Sequence, residues 1–68
     1  MATIYEKLGK RIKDLRKKAG LSQEELAEKA KLDLTSISEI ESGLRNPSIK
    51  TINKIALALK HHLSELFY

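Results

Sequence analysis

The sequence predicts an all-α fold, a compact bundle of five helices. Three observations carry this. Apolar residues recur every three or four positions along most of the chain, the spacing of one helix face. Ser22, Asp33 and Ser48 each stand just before such a stretch, and Gly20 and Gly43 just after one, which are helix start and stop signals. No segment alternates apolar with polar residues as a strand would. The chain has 68 residues and carries no linker, repeat or low-complexity stretch, so residues 1–68 read as one small domain.

The first helix is expected over roughly residues 4–18, with Tyr5, Leu8, Ile12, Leu15 and Ala19 on its apolar stripe and Gly20 as the left-handed residue that ends it. Ser22 and Glu25 form an S-x-x-E capping box, two reciprocal bonds to orphaned backbone amides. The second helix follows to about Ala30 and buries Leu26, Ala27 and Ala30. Asp33 caps a third helix near 34–42, and Gly43 stops it. Residues 44–47 form a loop. Ser48 then caps a fourth helix near 49–59, with Ile49, Ile52, Ile55, Ala56 and Leu59 turned inward. A short fifth helix is expected over 63–67, with Leu63, Leu66 and Phe67 apolar.

Composition removes several classes of function. There is no cysteine, hence no disulfide framework and no thiolate zinc site. His61 and His62 are adjacent, and neighbours on a helix point apart, so no metal site is expected and no cofactor is implied. No nucleophile–base pair and no phosphate-cradling glycine loop is present, and so small a helical bundle has little room for a cleft, which argues against an enzyme. The first 18 residues hold no apolar core of a signal peptide, and no apolar run approaches ~20 residues. The expectation is a soluble cytoplasmic protein with no membrane contact.

Net charge is +4, from 13 basic and 9 acidic residues. Seven of the basic residues fall in the first helix: Lys7, Lys10, Arg11, Lys13, Arg16, Lys17 and Lys18. Such a face is either merely solvated or a footprint for a polyanion.

The segment from Leu21 to Ser48 decides between these. It reads as two short helices with a tight connection, followed by a polar loop. Counting from Gln23, the fifth position is Ala27, where a larger side chain would collide with the second helix of the pair. The fifteenth and eighteenth are Ile37 and Ile40, which would pin that helix to the core. The runs GLSQEELAEKA, ISEIESG, RNPS, KIALAL and LSELF follow in order between Gly20 and Phe67. In this spacing the chain resembles the Cro/repressor-type, or XRE-like, helix-turn-helix family, with similarity extending from about Leu8 to Phe67. Among its members it is similar to small phage repressors and to the controller proteins of restriction–modification systems.

The resemblance implies a lambda-repressor-like fold in which helix 3 enters the major groove of DNA and helix 2 crosses the backbone. By position it assigns Gln23 to a phosphate, from the start of a helix whose amides also favour an anion. It assigns Leu34, Thr35, Ser36 and Glu39 to the base-facing side. Thr35 and Ser36 can bond base-edge donors or acceptors, and Leu34 can pack on a thymine methyl. Helix 3 carries no Arg, Gln or Asn for a bidentate base contact. Glu39 could accept from a cytosine amine, penalise wrong sites, or stand as a solvated surface glutamate. The resemblance places Arg45 and Asn46 in a loop along the phosphate backbone. Lys50 and Lys54, and Lys10 and Arg11, are further candidates for phosphates. Arg16 and Glu41 match a partly buried ion pair, a structural role.

Lys31 and Lys60 stand where the family usually has glycine, and His61 and His62 read as structural or surface residues. A lone reader with no strong base contact should bind operators poorly. The usual remedy is a two-fold dimer, and Leu63, Leu66, Phe67 and Tyr68 are the candidate interface, although Leu63 and Leu66 could equally complete the monomer's core. The function implied is a transcriptional regulator acting on operator DNA, which represses by blocking RNA polymerase or activates by touching it. The rival is a protein-interaction module, such as an antitoxin bound to a toxin or a bridging factor, with the acidic residues Glu24, Glu25 and Glu28 facing the partner. A third reading is a DNA-binding domain cut from a longer repressor.

Overall fold

The computed structural model describes residues 3–67. It holds four α-helices, α1 (Ile4–Lys18), α2 (Gln23–Ala30), α3 (Leu34–Glu41) and α4 (Ile49–Ala58), followed by a 3₁₀ helix (Leu63–Phe67). Each α-helix starts on a side-chain cap. Thr3 and Glu6 form a capping box on α1, with bonds of 3.1 and 2.8 Å, and Ser22 and Glu25 form another on α2, with bonds of 3.0 and 2.8 Å. Asp33 accepts from the Ser36 amide and Ser48 from the Thr51 amide, both at 3.1 Å. Caps of this kind contribute about 1 kcal/mol each.

The same closing turn ends all four α-helices. A residue of positive φ follows each one: Gly20, Lys31, Gly43 and Lys60. The next amide reaches back to the helix, from Leu21 to the Arg16 carbonyl, Leu32 to Ala27, Leu44 to Glu39 and His61 to Ala56. Lys31 and Lys60 hold φ of 58° and 61°, where a side chain is strained by roughly 1 kcal/mol relative to glycine.

The core is built from one face of every element. Ile12, Leu26, Ile37, Ile40, Ile55 and Leu66 are almost wholly removed from solvent, with Leu8, Leu15, Ala27, Ala30, Ile52, Ala56 and Leu59 packed around them. Apolar stripes run past the buried core at helix ends, and there the inward-facing expectation for Ile49 fails. Ile49 is 62% exposed because it is the first residue of α4, one turn beyond Ile52 where the core begins. Tyr5 and Ala19 likewise lie past the buried part of the α1 stripe, which runs from Leu8 to Leu15. The fifth element is a 3₁₀ turn rather than an α-helix. Five residues are too few for stable i→i+4 pairing, and the tighter helix suits a short piece. Among the described residues no helix is long and apolar enough to cross a membrane.

Candidate nucleic-acid interface

α2 and α3 are joined by Lys31, Leu32 and Asp33, the first in the left-handed conformation that turns the chain. Ala27 is buried, as are Ile37 and Ile40, so α3 is held to the core by its inner face. Behind α3 stands α1. Gly9 is buried in the middle of α1, and a Cβ there would collide with the Ile40 carbonyl oxygen and lie 2.7 Å from that of Glu41. The two backbones meet without a side chain between them. In the sequence, the signal for such an approach is a glycine inside an amphipathic helix, next to Leu8 on the inner face.

A buried ion pair closes the same contact. Arg16 donates from Nε to Glu41 Oε2 at 2.7 Å and from Nη2 to Oε1 at 3.1 Å. Its Nη1 donates to the Leu21 carbonyl at 2.8 Å. The two side chains are 9% and 2% exposed. Gln23 joins them from the first turn of α2, donating from Nε2 to Glu41 Oε1 at 3.0 Å. One carboxylate thus ties α1, α2 and α3 together. The second Nε2 hydrogen of Gln23 remains for another acceptor.

The outer face of α3 presents Leu34, 45% exposed, and Thr35, with Glu39 partly exposed one turn on. Ser36 differs from the expectation drawn from the resemblance. It is 7% exposed, and its hydroxyl donates to Asp33 Oδ1 at 2.7 Å while accepting from Arg45 Nη1 at 2.8 Å. Being engaged on both sides within the chain, it positions Arg45 instead of facing outward. Arg45 also donates from Nη2 to Glu39 Oε1 at 2.6 Å. The loop guanidinium therefore lies along α3 and neutralises its carboxylate. Bonds from the Ser36 hydroxyl and then the Ser36 amide hold the Asp33 carboxyl below the usual carboxylate range. Asn46 is exposed beside Arg45.

Other candidates lie elsewhere. Arg11 donates from Nε to the Glu65 carbonyl at 3.1 Å, so it also anchors the 3₁₀ helix. Lys10 pairs with Asp14 at 3.3 Å on the open surface, a contact of little energetic weight. Lys54 lies with Lys29 and Lys31 in a groove between α2 and α4, and Lys50 is exposed in the first turn of α4.

At the C-terminal end, Leu66 is 1% exposed and belongs to the core, so its side chain offers no surface to a second copy. Leu63 is partly buried against that core. Phe67 is 48% exposed and lines a shallow apolar groove of about 160 Å³ with Ile4, Lys7, Leu8 and Leu66. Tyr68 lies outside the described residues. His61 and His62 are absorbed locally. His61 Nδ1 lies 2.7 Å from Glu65 Oε2, and the His62 amide donates to Glu65 Oε1 at 2.9 Å. The His61 bond, then that of the His62 amide, lowers the Glu65 carboxyl.

Known proteins share this fold. A family model described as helix-turn-helix matches residues 12–66. The control protein C.MunI of a Mycoplasma species is 46% identical over 98% of this chain and 92% of its own length. The crystal structure of the restriction–modification controller protein C.AhdI from Aeromonas hydrophila superposes with a TM-score of 0.91 at 43% identity, covering 93% of this chain and 96% of that one. A crystal structure of SinR, the master regulator for biofilm formation, in complex with DNA superposes with a TM-score of 0.85 at 40% identity, over 90% of this chain and 98% of that one. The match over residues 12–66, the extent of these likenesses and the α2–α3 geometry lead to one conclusion: the chain belongs to the helix-turn-helix family.

Proposed function

We propose that this chain is a sequence-specific regulator of transcription that binds double-stranded operator DNA, with residues 1–68 acting as one domain. α3 enters the major groove and α2 lies across the backbone. The observation that carries the reading is the lock on α3. Gly9 and the Arg16–Glu41–Gln23 cluster fix its inner side, leaving Leu34, Thr35 and Glu39 outward between two flanking donors, Gln23 and Arg45. Gln23, oriented by Glu41, offers its remaining amide hydrogen to a phosphate, and Arg45 and Asn46 follow the backbone on the other flank. Glu39, neutralised by Arg45, approaches the groove without the full repulsion of a bare carboxylate.

The likeness to the control protein C.MunI, to the controller protein C.AhdI and to SinR in complex with DNA supports a repressor or controller that acts by occupying promoter DNA inside the cell. Two copies related by a two-fold axis would read half-sites ~34 Å apart. The exposed apolar cluster of Ile4 and Phe67 is the surface for that pairing, with Leu66 supporting it from within.

The test is selection of bound duplexes from a random DNA pool at a stated salt concentration. A palindromic consensus is expected, with affinity falling steeply as salt rises. Recovery of no consensus, with binding equally tight on every sequence, overturns the reading.

A further inference from the structure

We propose that the groove between the C-terminal ends of α2 and α4 is a docking surface for a partner protein's acidic helical segment that carries leucine-sized side chains. Two adjoining open depressions, of about 270 and 280 Å³, share Lys29 and Ala58 as common walls. Lys31 and Lys54 line the first and Lys60 the second. All four lysines are exposed, and among the described residues none of them makes an ion pair. Glu25, one turn from Lys29, feels its charge without touching it. No carboxylate lines either depression.

The floor is apolar, which separates this surface from a simple polyanion patch. Leu57 sits on the rim at 68% exposure, the most open large apolar residue on α4, beside the half-buried Ala58. A nucleic-acid backbone has no use for an exposed leucine, whereas an acidic amphipathic segment matches both the cations and the leucine. Two of the four cations, Lys31 and Lys60, are also the two non-glycine residues of positive φ. The chain keeps a lysine at each of these strained positions, and both side chains line the groove. No residue of α3 lines the groove.

The test titrates the full chain, followed by amide NMR, with a short synthetic peptide of glutamate and alanine carrying two leucines one helical turn apart. Two other probes are the same peptide with serine for leucine, and a mixed-sequence DNA duplex. Saturable shifts are expected at Lys29, Lys31, Leu57 and Ala58 with the leucine peptide, leaving Thr35 and Glu39 in place. Leu57→Ser and Lys29→Glu should each weaken that peptide by about tenfold. Lys31→Gly relaxes the backbone, so weaker peptide binding by this well-folded variant separates lost docking from lost folding. The proposal is overturned if the leucine peptide shifts none of these amides. It is equally overturned if the serine peptide binds as tightly, which marks a counterion site, or if the duplex moves the groove amides more strongly than the peptide does.

Discussion

Glu41 accepts three hydrogen bonds, two from Arg16 and one from Gln23, in a site where its side chain is 2% exposed. Glu41→Gln keeps the shape and removes the charge. With its oxygen at the Oε1 position the amide keeps the bonds from Arg16 Nη2 and Gln23, but its NH₂ group then faces the Arg16 Nε donor, and the buried guanidinium loses its counter-charge. Breaking a buried pair from one side costs about 3–5 kcal/mol. A chain of 68 residues has a total stability of roughly 3–10 kcal/mol, so the variant should lose much of its folded population. The assay is urea unfolding followed by helical circular dichroism, with a midpoint shift of about 2–4 M expected for a domain of this size. Replacing both partners, Arg16→Met with Glu41→Leu, should recover most of the loss, because paired removal of buried charges is often neutral. A Glu41→Gln midpoint corresponding to a change below ~0.5 kcal/mol would refute the claim that this carboxylate locks α3.

Gly9→Ala should destabilise by about 1–3 kcal/mol by thermal unfolding, since its Cβ pushes into the Ile40 and Glu41 carbonyls, and DNA affinity should fall with it as α3 is displaced. Arg45→Ala should weaken DNA binding with little effect on the unfolding midpoint, and reduce the slope of log affinity against log salt by about 0.9, the value for one phosphate contact. An unchanged slope would place Arg45 off the backbone. Hydrogen bonds to Ser22, Ser36 and His61, respectively, lower the carboxyls of Glu25, Asp33 and Glu65 in the folded chain. Protonation therefore favours the unfolded state: their contribution is whole above the ordinary carboxylate range near ~4 and is lost as pH falls through the depressed folded values. The urea midpoint should drop between about pH 5 and pH 3, less steeply in Asp33→Asn. An identical pH profile for that variant would remove Asp33 from the account.

The sequence was most legible where the cause is local. Ser22, Asp33 and Ser48 cap the helices that follow them, and Gly20 and Gly43 end those that precede them, because caps and closing turns involve only residues a few positions apart. Thr3 and Glu6 form a further capping box, whose signal in the sequence is T-x-x-E. Helix ends were less legible. Ile49 fits the α4 stripe by spacing, and only the extent of the neighbouring helices leaves it in solvent.

The site divides along the same line. Ala27, Ile37 and Ile40 follow from periodicity, and the family resemblance pairs Arg16 with Glu41. Ser36 turning back to hold Arg45, Gln23 sharing Glu41, and Arg11 anchoring the Glu65 carbonyl are bonds between residues 9, 18 and 54 positions apart. A pattern of residue types carries no information about which of several polar groups meet.

By itself, then, the sequence determined the four α-helices, the caps and closing turns that bound them, the buried middle of their inner faces and the helix-turn-helix frame, since each depends on propensity, periodicity and contacts within a turn. Tertiary structure alone decided how closely α1 approaches α3 at Gly9, which polar groups of α3 are already engaged within the chain, and that Leu66 fills the core while Phe67 stays open. These depend on where separate helices come to rest against one another, which is set by packing of the whole core and not by any one segment.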